Sequence, residues 1–308
     1  MSLWPGAHLP NLNGKIAIIT GANSGIGFYS ALELARAGAT VILACRNTQK
    51  GEKAAALINE KAPDRAIFMP LDLADFAAVH EFAGNFKERY GALDLLINNA
   101  GIMAPPQRLL TAQGLELQFG VNFIGHFLLT ALLLTPLLDA RAPRVIQLSS
   151  VAHRRGRIDF ADLQSVRAYR GWTAYAQSKL AMLVFAQELA RRADAGGWGI
   201  LSLAAHPGVA ATELVANGPG PASAMAWLLK LASPLVRQSA TAGAWPILLA
   251  ATDPYAQPGA YYGPQGLFEF RGRPGIAKIE PAAFNPQTGA QLWEEAERLT
   301  GESFKPAP

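Results

Sequence analysis

The strongest indication of the fold of this chain is the sequence Thr20-Gly21-Ala22-Asn23-Ser24-Gly25-Ile26-Gly27. A short apolar run from Lys15 to Thr20 precedes it, and a stretch with helical spacing, Gly25 to Ala37, follows. A glycine-rich turn between a buried strand and a helix brings bare backbone and the first helical amides close to an anion, which predicts a pyrophosphate-binding loop. A tight turn without a ligand is the alternative, since the spacing Gly-x-x-x-Gly-x-Gly departs from the commoner Gly-x-Gly-x-x-Gly. The predicted ligand contacts are Gly21, Asn23, Ser24, Gly25, Ile26 and Gly27.

Strand and helix patterns alternate beyond this loop. Each parallel connection between strands needs a crossover, so the alternation predicts an α/β fold, a doubly wound parallel sheet of the Rossmann type with helices on both faces. The predicted strands are Lys15 to Thr20, Thr40 to Cys45, Ala66 to Leu71, Leu93 to Asn98, Arg144 to Ser149 and Gly199 to Ala205. The predicted helices are Gly25 to Ala37, Thr48 to Lys61, Asp75 to Tyr90, Leu115 to Leu138 and Thr173 to Arg192.

Composition excludes several classes of protein. With 50% hydrophobic and 16% charged residues, the chain is too apolar to be disordered. Its basic residues are scattered apart from Arg154, Arg155 and Arg157, and no basic stripe is interleaved with aromatics, so we expect no nucleic-acid binding. The single Cys45 excludes an internal disulfide and a cysteine-based metal site, and it suits the reducing cytoplasm. No metal is expected.

Membrane insertion is not expected either. The start of the chain lacks the basic and then apolar order of a signal peptide. The most apolar stretch, Phe127 to Leu138, is too short to cross a bilayer and contains Pro136. Peripheral membrane contact and a homo-oligomer both remain open.

The end of the second predicted strand favours one nicotinamide cofactor. In dinucleotide-binding folds this position contacts the adenosine ribose, and an acidic residue there binds a free 2′-hydroxyl. Here Arg46 offers a guanidinium suited to a 2′-phosphate, so we expect NADP rather than NAD. Asp72, after the third strand, could accept a hydrogen bond from the adenine amino group. The alternatives are a solvated Arg46 and an Asp72 that caps the next helix.

A tyrosine and a lysine share one face of a predicted helix. Tyr175 and Lys179 are four residues apart. A phenol has a pKa near 10, and an ammonium on the next turn together with a positive nicotinamide ring would lower it toward the working range. Ser150, at the end of the fifth strand, would donate a hydrogen bond to a substrate oxygen. By itself the pair could be an ordinary surface pair.

The combination of the glycine-rich loop, Asn98-Asn99-Ala100-Gly101, Asn122, Ser150 and Tyr175-Ala176-Gln177-Ser178-Lys179 resembles the short-chain dehydrogenase/reductase family, over about Lys15 to Glu213. The resemblance implies that Tyr175 is the acid-base residue and that Lys179 lowers its pKa and holds the nicotinamide ribose. It implies that Ser150 orients the carbonyl and that Asn122 supports a proton-relay water. Further implied cofactor contacts are Asn99, Ala100, Gly101, Pro207, Gly208 and Thr212.

Four short stretches are similar to retinol-dehydrogenase-like members of that family. This resemblance implies an NADP-dependent oxidoreductase that interconverts hydrophobic aldehydes or ketones and their alcohols. Two other functions remain as alternatives: a catalytically silent NADP-binding regulator and a membrane-surface scaffold. The stretches are Leu43 to Arg46, Ser149 to His153, Ser178 to Ala181 and His206 to Gly208.

The segment Val215 to Val236 is the candidate for substrate choice. A Pro/Gly hinge precedes an apolar helical pattern that contains Trp227, which suits a lid over an apolar substrate. An ordinary core or subunit-contact helix is the alternative. His153 and His206 are explained by local structure, and His126 falls among apolar helix positions and is expected to be packed.

We find no repeat or linker and therefore expect a single domain over residues 1–308. Its cofactor-binding half covers about residues 14–145, its catalytic and substrate half about 146–280, and a tail covers 281–308. Tyr261 to Pro264 is predicted as the last strand, and the tail as a helix from Thr288 to Leu299 that stops near Gly301.

Overall fold

A computed structural model describes residues 9–209 and 238–305. Their alternating strands and helices follow the predicted order closely. The strands are β1 (Ile16–Thr20), β2 (Thr40–Cys45), β3 (Ala66–Pro70), β4 (Leu95–Asn98), β5 (Arg144–Leu148), β6 (Leu201–Ala205), β7 (Tyr261–Pro264) and β8 (Pro274–Ile276). The α-helices are α1 (Gly25–Arg36), α2 (Thr48–Asn59), α3 (Phe76–Arg89), α4 (Leu117–Phe119), α5 (Gly125–Leu132), α6 (Leu134–Leu138), α7 (Gly171–Ala195), α8 (Ala240–Thr252) and α9 (Pro286–Thr300).

The eight strands form one sheet in the order β3-β2-β1-β4-β5-β6-β7-β8. Every neighbouring pair is parallel except β7 and β8, which pair antiparallel. This confirms the doubly wound α/β prediction. Chain order reverses between β1 and β4, and the crevice outside the carboxyl ends of such strands is where open α/β sheets bind ligands. The predicted strand at Tyr261 to Pro264 is confirmed as β7, but it is not the last, because β8 follows and is too short, at three residues, to show a strand pattern.

Apolar side chains alternate between the two faces of the sheet. In β1, Ile18 joins the core under α3, α5, α7 and α9, whereas Ile19 joins the core under α1, α2 and α8. Successive side chains of a strand point to opposite faces, so each central strand supplies both cores. Burial on both faces therefore follows from the near-continuous apolar runs of the sequence.

The predicted helix Leu115 to Leu138 is interrupted. A π-helical turn, Gly120–Ile124, separates α4 from α5, and Leu133 separates α5 from α6. The amide of Gly125 donates to the carbonyl of Gly120, one residue farther back than in an α-helix. A π turn inserts one residue without disturbing the apolar pattern much, so the sequence periodicity does not reveal it. The turn contains Asn122.

Helix α9 closes one face of the molecule. Its N-cap Asn285 accepts from the amides of Gln287 and Thr288, and Gly301 ends it in the left-handed conformation, with φ 71°. The predicted stop at Gly301 is thus confirmed. The fully buried Trp293 packs its ring against Phe304 at 4.4 Å between centroids. The segment that follows α9, up to Phe304, is therefore tied to the core.

Candidate active site

The glycine-rich loop lies between β1 and α1 at the point where the strand order reverses. Gly21 and Gly25 have positive φ values of 66° and 55°. A Cβ on Gly27 would lie 2.6 Å from both Gly21 O and Asn99 Nδ2, so only glycine lets the helix approach the loop this closely. The N-cap side chain of Ser24 makes no capping hydrogen bond. The first amides of α1 are thus left for an anion, and the loop fits the pyrophosphate of a dinucleotide.

Thr20, the last residue of β1, holds the neighbouring wall of the crevice. Its Oγ1 accepts hydrogen bonds from the amides of Asn99 and Ala100, each at 2.9 Å. The Asn99 side chain returns a hydrogen bond from Nδ2 to Thr20 O at 2.7 Å. Asn98 points away from the crevice and donates to Thr130 and Gln147. The side chains of Asn98 and Asn99 therefore bond to protein groups and fix the backbone that borders the cleft.

Arg46 and Asp72 meet at the ends of β2 and β3. Arg46 NH1 lies 3.9 Å from Asp72 Oδ2, and the Arg46 side chain is 72% exposed. Asp72 Oδ1 accepts from the amide of Ala74. The N-cap of α3 is Asp75, whose carboxylate accepts from Ala77 N, so the alternative that Asp72 caps this helix is wrong. The guanidinium is left accessible to a ligand.

Tyr175, Ser150 and Lys179 come together beyond the carboxyl end of β5. Tyr175 and Lys179 lie on consecutive turns of α7, and both are almost completely buried. The Ser150 side chain hydrogen-bonds with the Tyr175 hydroxyl and accepts from Ala152 N. Lys179 Nζ lies 5.9 Å from the centre of the Tyr175 ring and donates to Leu148 O at 2.9 Å. The sequence placed these groups on separate elements, and the fold joins them in one site.

Burial sets the protonation of this site. Desolvation raises the pKa of Tyr175 to about 12, and the Ser150 hydrogen bond offsets only part of that rise. Desolvation lowers the pKa of Lys179 to about 8. The expected lowering of the phenol pKa by Lys179 is therefore not seen in the chain by itself, because the ammonium donates to a backbone carbonyl and the phenol is enclosed. At neutral pH Tyr175 is a protonated hydrogen-bond donor.

Asn122 clamps the segment that follows Gly101. Its Oδ1 accepts from Ile102 N at 2.7 Å, and its Nδ2 donates to Ile102 O at 3.0 Å and to Ser178 Oγ at 2.9 Å. A Cβ on Gly101 would come within 3.3 Å of Lys179 Nζ, so this glycine keeps the space in front of the ammonium open. The protein thus uses both ends of the Asn122 amide.

An apolar wall that the sequence did not reveal flanks Tyr175. Met103 and Ala104, both buried, pack with Tyr175, and the half-buried Ala152 joins them. The edge of the Trp172 ring meets Tyr175 at 5.9 Å between centroids. Met103 and Ala104 lie in a loop without periodicity. Only the spacing of Trp172, three residues before Tyr175, could have given a signal, and the predicted helix began one residue too late, at Thr173, to include it.

The turn after β6 places Pro207 and Gly208 near the same edge of the sheet. Gly208 has φ 62°, and a Cβ there would lie 2.3 Å from Phe270 O. Val209 N donates to that carbonyl at 2.8 Å, so the turn is fixed to the segment after β7. Thr212 and the segment Val215 to Val236 with Trp227 lie outside the described residues.

The histidines flanking the site are held locally. His153 Nδ1 bonds to Ser150 O at 2.6 Å, and His206 Nε2 lies 3.1 Å from Glu269 Oε2. His126 is buried, as expected, but it is hydrogen-bonded as well as packed. Among residues 9–209 and 238–305, no group of three or more His, Cys, Asp or Glu side chains could hold a metal ion. In the same part of the chain no helix combines the length and apolarity needed to cross a membrane.

Comparisons with known proteins agree with this geometry. Residues 15–219 match the family model described as short chain dehydrogenase. Polyprenol dehydrogenase of Mus musculus is 40% identical over 95% of this chain and 86% of its own length. Retinol dehydrogenase 13 of Homo sapiens is 41% identical over 94% of this chain and 85% of its own length. The similarity to retinol-dehydrogenase-like proteins is thus confirmed.

Two solved structures share the fold. A crystal structure of an uncharacterized protein from Mycobacterium Paratuberculosis is 39% identical, with a TM-score of 0.81, and the match covers 98% of this chain and 99% of that one. A short chain dehydrogenase from Shigella flexneri complexed with NADP is 26% identical, with a TM-score of 0.65, over 82% of this chain and 98% of that one. The sheet order, the glycine-rich loop and the matched family model together lead to one assignment: this chain belongs to the short-chain dehydrogenase family of oxidoreductases.

Proposed function

We propose that this protein is an NADP-dependent oxidoreductase that interconverts a hydrophobic aldehyde or ketone and its alcohol. The observation that carries the proposal is the convergence of Ser150, Tyr175 and Lys179, with the Lys179 ammonium in front of Gly101. NADPH, when bound, supplies the hydride. All other parts of the reaction fall to side chains of this chain.

Tyr175 acts as the proton donor in carbonyl reduction. Its raised pKa keeps the phenol protonated at neutral pH, and its hydrogen bond to Ser150 orients the hydroxyl. Ser150 donates a hydrogen bond to the substrate oxygen and so holds the substrate carbonyl in the orientation that faces Tyr175. The carbonyl oxygen takes the Tyr175 proton as it becomes an alcohol.

Lys179 supports this step from the next turn of α7. An ammonium has three donors, and the bond to Leu148 O uses one of them, which leaves donors for cofactor hydroxyls in front of Gly101. Its positive charge also stabilises a phenolate left on Tyr175 after proton transfer. Desolvation of both side chains strengthens this attraction relative to water.

The choice of NADP rests on Arg46. Its exposed guanidinium follows β2, where the adenosine ribose of a dinucleotide lies, and it can bind a 2′-phosphate through charge-assisted hydrogen bonds. The solved relative from Shigella flexneri is complexed with NADP, which supports the same cofactor here. Asp72 is the proposed acceptor for the adenine amino group.

An apolar substrate is supported by the wall around Tyr175. Met103, Ala104 and Ala152 offer no charged group next to the reacting hydroxyl, and Trp172 extends this surface. The relatives named polyprenol dehydrogenase and retinol dehydrogenase act, by their names, on long apolar alcohols. Each methylene buried against such a wall is worth up to about 0.8 kcal/mol, so catalytic efficiency should rise several-fold per carbon until the pocket is full.

NADPH oxidation measured against a series of aldehydes of increasing length, with retinal included, tests this function. Tyr175→Phe should keep NADPH affinity while turnover falls at least roughly a hundredfold, the scale of a lost general acid. Near-normal turnover in this variant would remove Tyr175 from its role. NADPH binding without turnover of any carbonyl or alcohol by wild type would favour the silent regulator instead.

A further inference from the structure

His126, on α5, bonds to two elements that hold the segment after β4, the end of β1 and the π turn. The side chain is completely buried, its Nδ1 lies 2.9 Å from Asn122 O, and its Nε2 lies 2.9 Å from Thr20 Oγ1. Thr20 ends β1 and leads into the glycine-rich loop, and Asn122 lies in the π turn. A buried imidazole needs a partner at each nitrogen, and here the two partners lie on elements that are distant in sequence, so the ring ties these elements together.

The partners fix a single tautomer. A carbonyl oxygen only accepts, so Nδ1 carries the hydrogen and donates to Asn122 O, and Nε2 must accept from the Thr20 hydroxyl. Burial lowers the pKa of His126 to about 3, which keeps the ring neutral. The other acceptor within reach of the Thr20 hydroxyl, Ile97 O, is more distant at 3.4 Å.

This tautomer directs the lone pairs of Thr20 toward the crevice wall. With its hydrogen donated to His126, Thr20 Oγ1 keeps its lone pairs for the amides of Asn99 and Ala100. Without the imidazole acceptor, the hydroxyl hydrogen would turn to another acceptor such as Ile97 O, and the lone pairs of Thr20 Oγ1 would rotate away from those amides. The His126 ring thereby orders the backbone that lies against Gly21.

The second ring nitrogen acts on the π turn. The bond from Nδ1 fixes the carbonyl of Asn122 within the π turn, where backbone hydrogen bonding is shifted by one residue. The side chain of the same residue clamps both Ile102 N and Ile102 O. Ile102 directly precedes Met103 in the apolar wall. A shift of Asn122 would therefore move the segment beside Tyr175.

We propose that His126 is a positioning residue that sets the spacing between the cofactor wall at Asn99 and Ala100 and the Asn122 clamp beside the reacting groups. The proposal rests on the proposed function and deepens it. His126 touches neither of the groups that would react, Ser150 or Tyr175, and it acts through Thr20 and Asn122.

Two amide substitutions separate the hydrogen bond from His126 to Thr20 from the hydrogen bond to Asn122. In His126→Asn the amide can replace Nδ1 and keep the bond to Asn122 O, but it is too short to reach Thr20. In His126→Gln the amide oxygen can replace Nε2 and accept from Thr20, and the bond to Asn122 is lost. Thr20→Val removes the hydroxyl in nearly the same volume, and Thr20→Ser keeps it.

Hydrogen exchange of the Asn99 and Ala100 amides in the ligand-free protein reports on the hydrogen bond between His126 and Thr20. We expect exchange to accelerate about tenfold in His126→Asn and Thr20→Val, with NADPH binding weakened about five- to tenfold, the scale of one lost hydrogen bond. Thr20→Ser keeps the hydroxyl, so its exchange rate and its NADPH affinity should both stay near those of wild type. His126→Gln should keep near-normal exchange and NADPH affinity while kcat falls, because its defect lies at the Asn122 clamp.

A core variant away from the site separates positioning from stability. Phe86→Leu, in the fully buried core under α3, should lower the unfolding temperature without changing exchange at Asn99, NADPH affinity or kcat. Loss of thermal stability alone in both His126 variants, with the other three measurements as in wild type, would overturn the proposal. If wild type bound no NADPH, the proposed function would fail, and exchange in the ligand-free protein would still decide whether His126 orders this wall.

Discussion

Arg46→Ala should convert an NADP-preferring protein into one that barely distinguishes the two cofactors. The ion pair with Asp72 spans 3.9 Å with the Arg46 side chain 72% exposed, so its loss should change the free energy of unfolding by less than about 1 kcal/mol. A charge-assisted hydrogen bond to a 2′-phosphate is worth about 1.5 to 3 kcal/mol. At about 1.4 kcal/mol per factor of ten, the NADPH dissociation constant should rise roughly ten- to a hundredfold. NADH has no 2′-phosphate and should bind nearly as before.

Fluorescence titration of both cofactors measures this difference directly. Arg36→Ala is the matched control, because it removes the same charge and breaks an ion pair to Glu33 at the far end of α1, with Arg36 47% exposed. It should leave both dissociation constants within about twofold of wild type, as expected for a surface charge outside the site. An equal loss of NADPH and NADH affinity in Arg46→Ala would refute the role of Arg46. A wild type that prefers NADH would refute its premise.

Three further predictions concern the site and the core. Gly27→Ala should destabilise the protein by about 1 to 3 kcal/mol and weaken NADPH binding, because the new Cβ would lie 2.6 Å from a backbone oxygen. The control Gly84→Ala in α3 should do neither, since no atom lies within 4 Å of its new Cβ. Equal effects of the two variants in a melting assay would contradict this prediction. Between about pH 8 and 10.5 the free energy of unfolding of wild type should rise with pH by about 1.4 kcal/mol per unit when compared with that of Lys179→Met. The reason is that folding lowers the pKa of Lys179, so the unfolded state binds more protons than the folded state in this range. Parallel pH profiles of the two proteins would exclude a depressed Lys179 pKa. Trp293→Ala should cost about 3 to 5 kcal/mol in urea unfolding, and a cost below about 1 kcal/mol would mean that α9 is dispensable for the core.

Local sequence carried the prediction of the fold. Short apolar runs separated by helical patterns specify buried parallel strands with crossovers, and the doubly wound parallel sheet follows from that alternation, whereas the order of its strands was seen only in the structure. The glycines of the loop at Gly21, Gly25 and Gly27 were also readable, because a turn that needs positive φ or a bare Cα leaves its mark in residue type. Tyr175 and Lys179 were found by their four-residue spacing on one helix.

The local structure and the residue types of the site could therefore be predicted from the sequence. Tertiary structure alone decided which way burial shifts the pKa values of Tyr175 and Lys179, because desolvation depends on neighbours distant in the chain. It also decided that Met103 forms part of an apolar wall, since loops carry no periodicity. His126 looked like a packed core residue in a helical pattern. Only the fold placed its two nitrogens between Thr20 and Asn122, on elements about a hundred residues apart in sequence, because hydrogen-bond partners are chosen by distance in space.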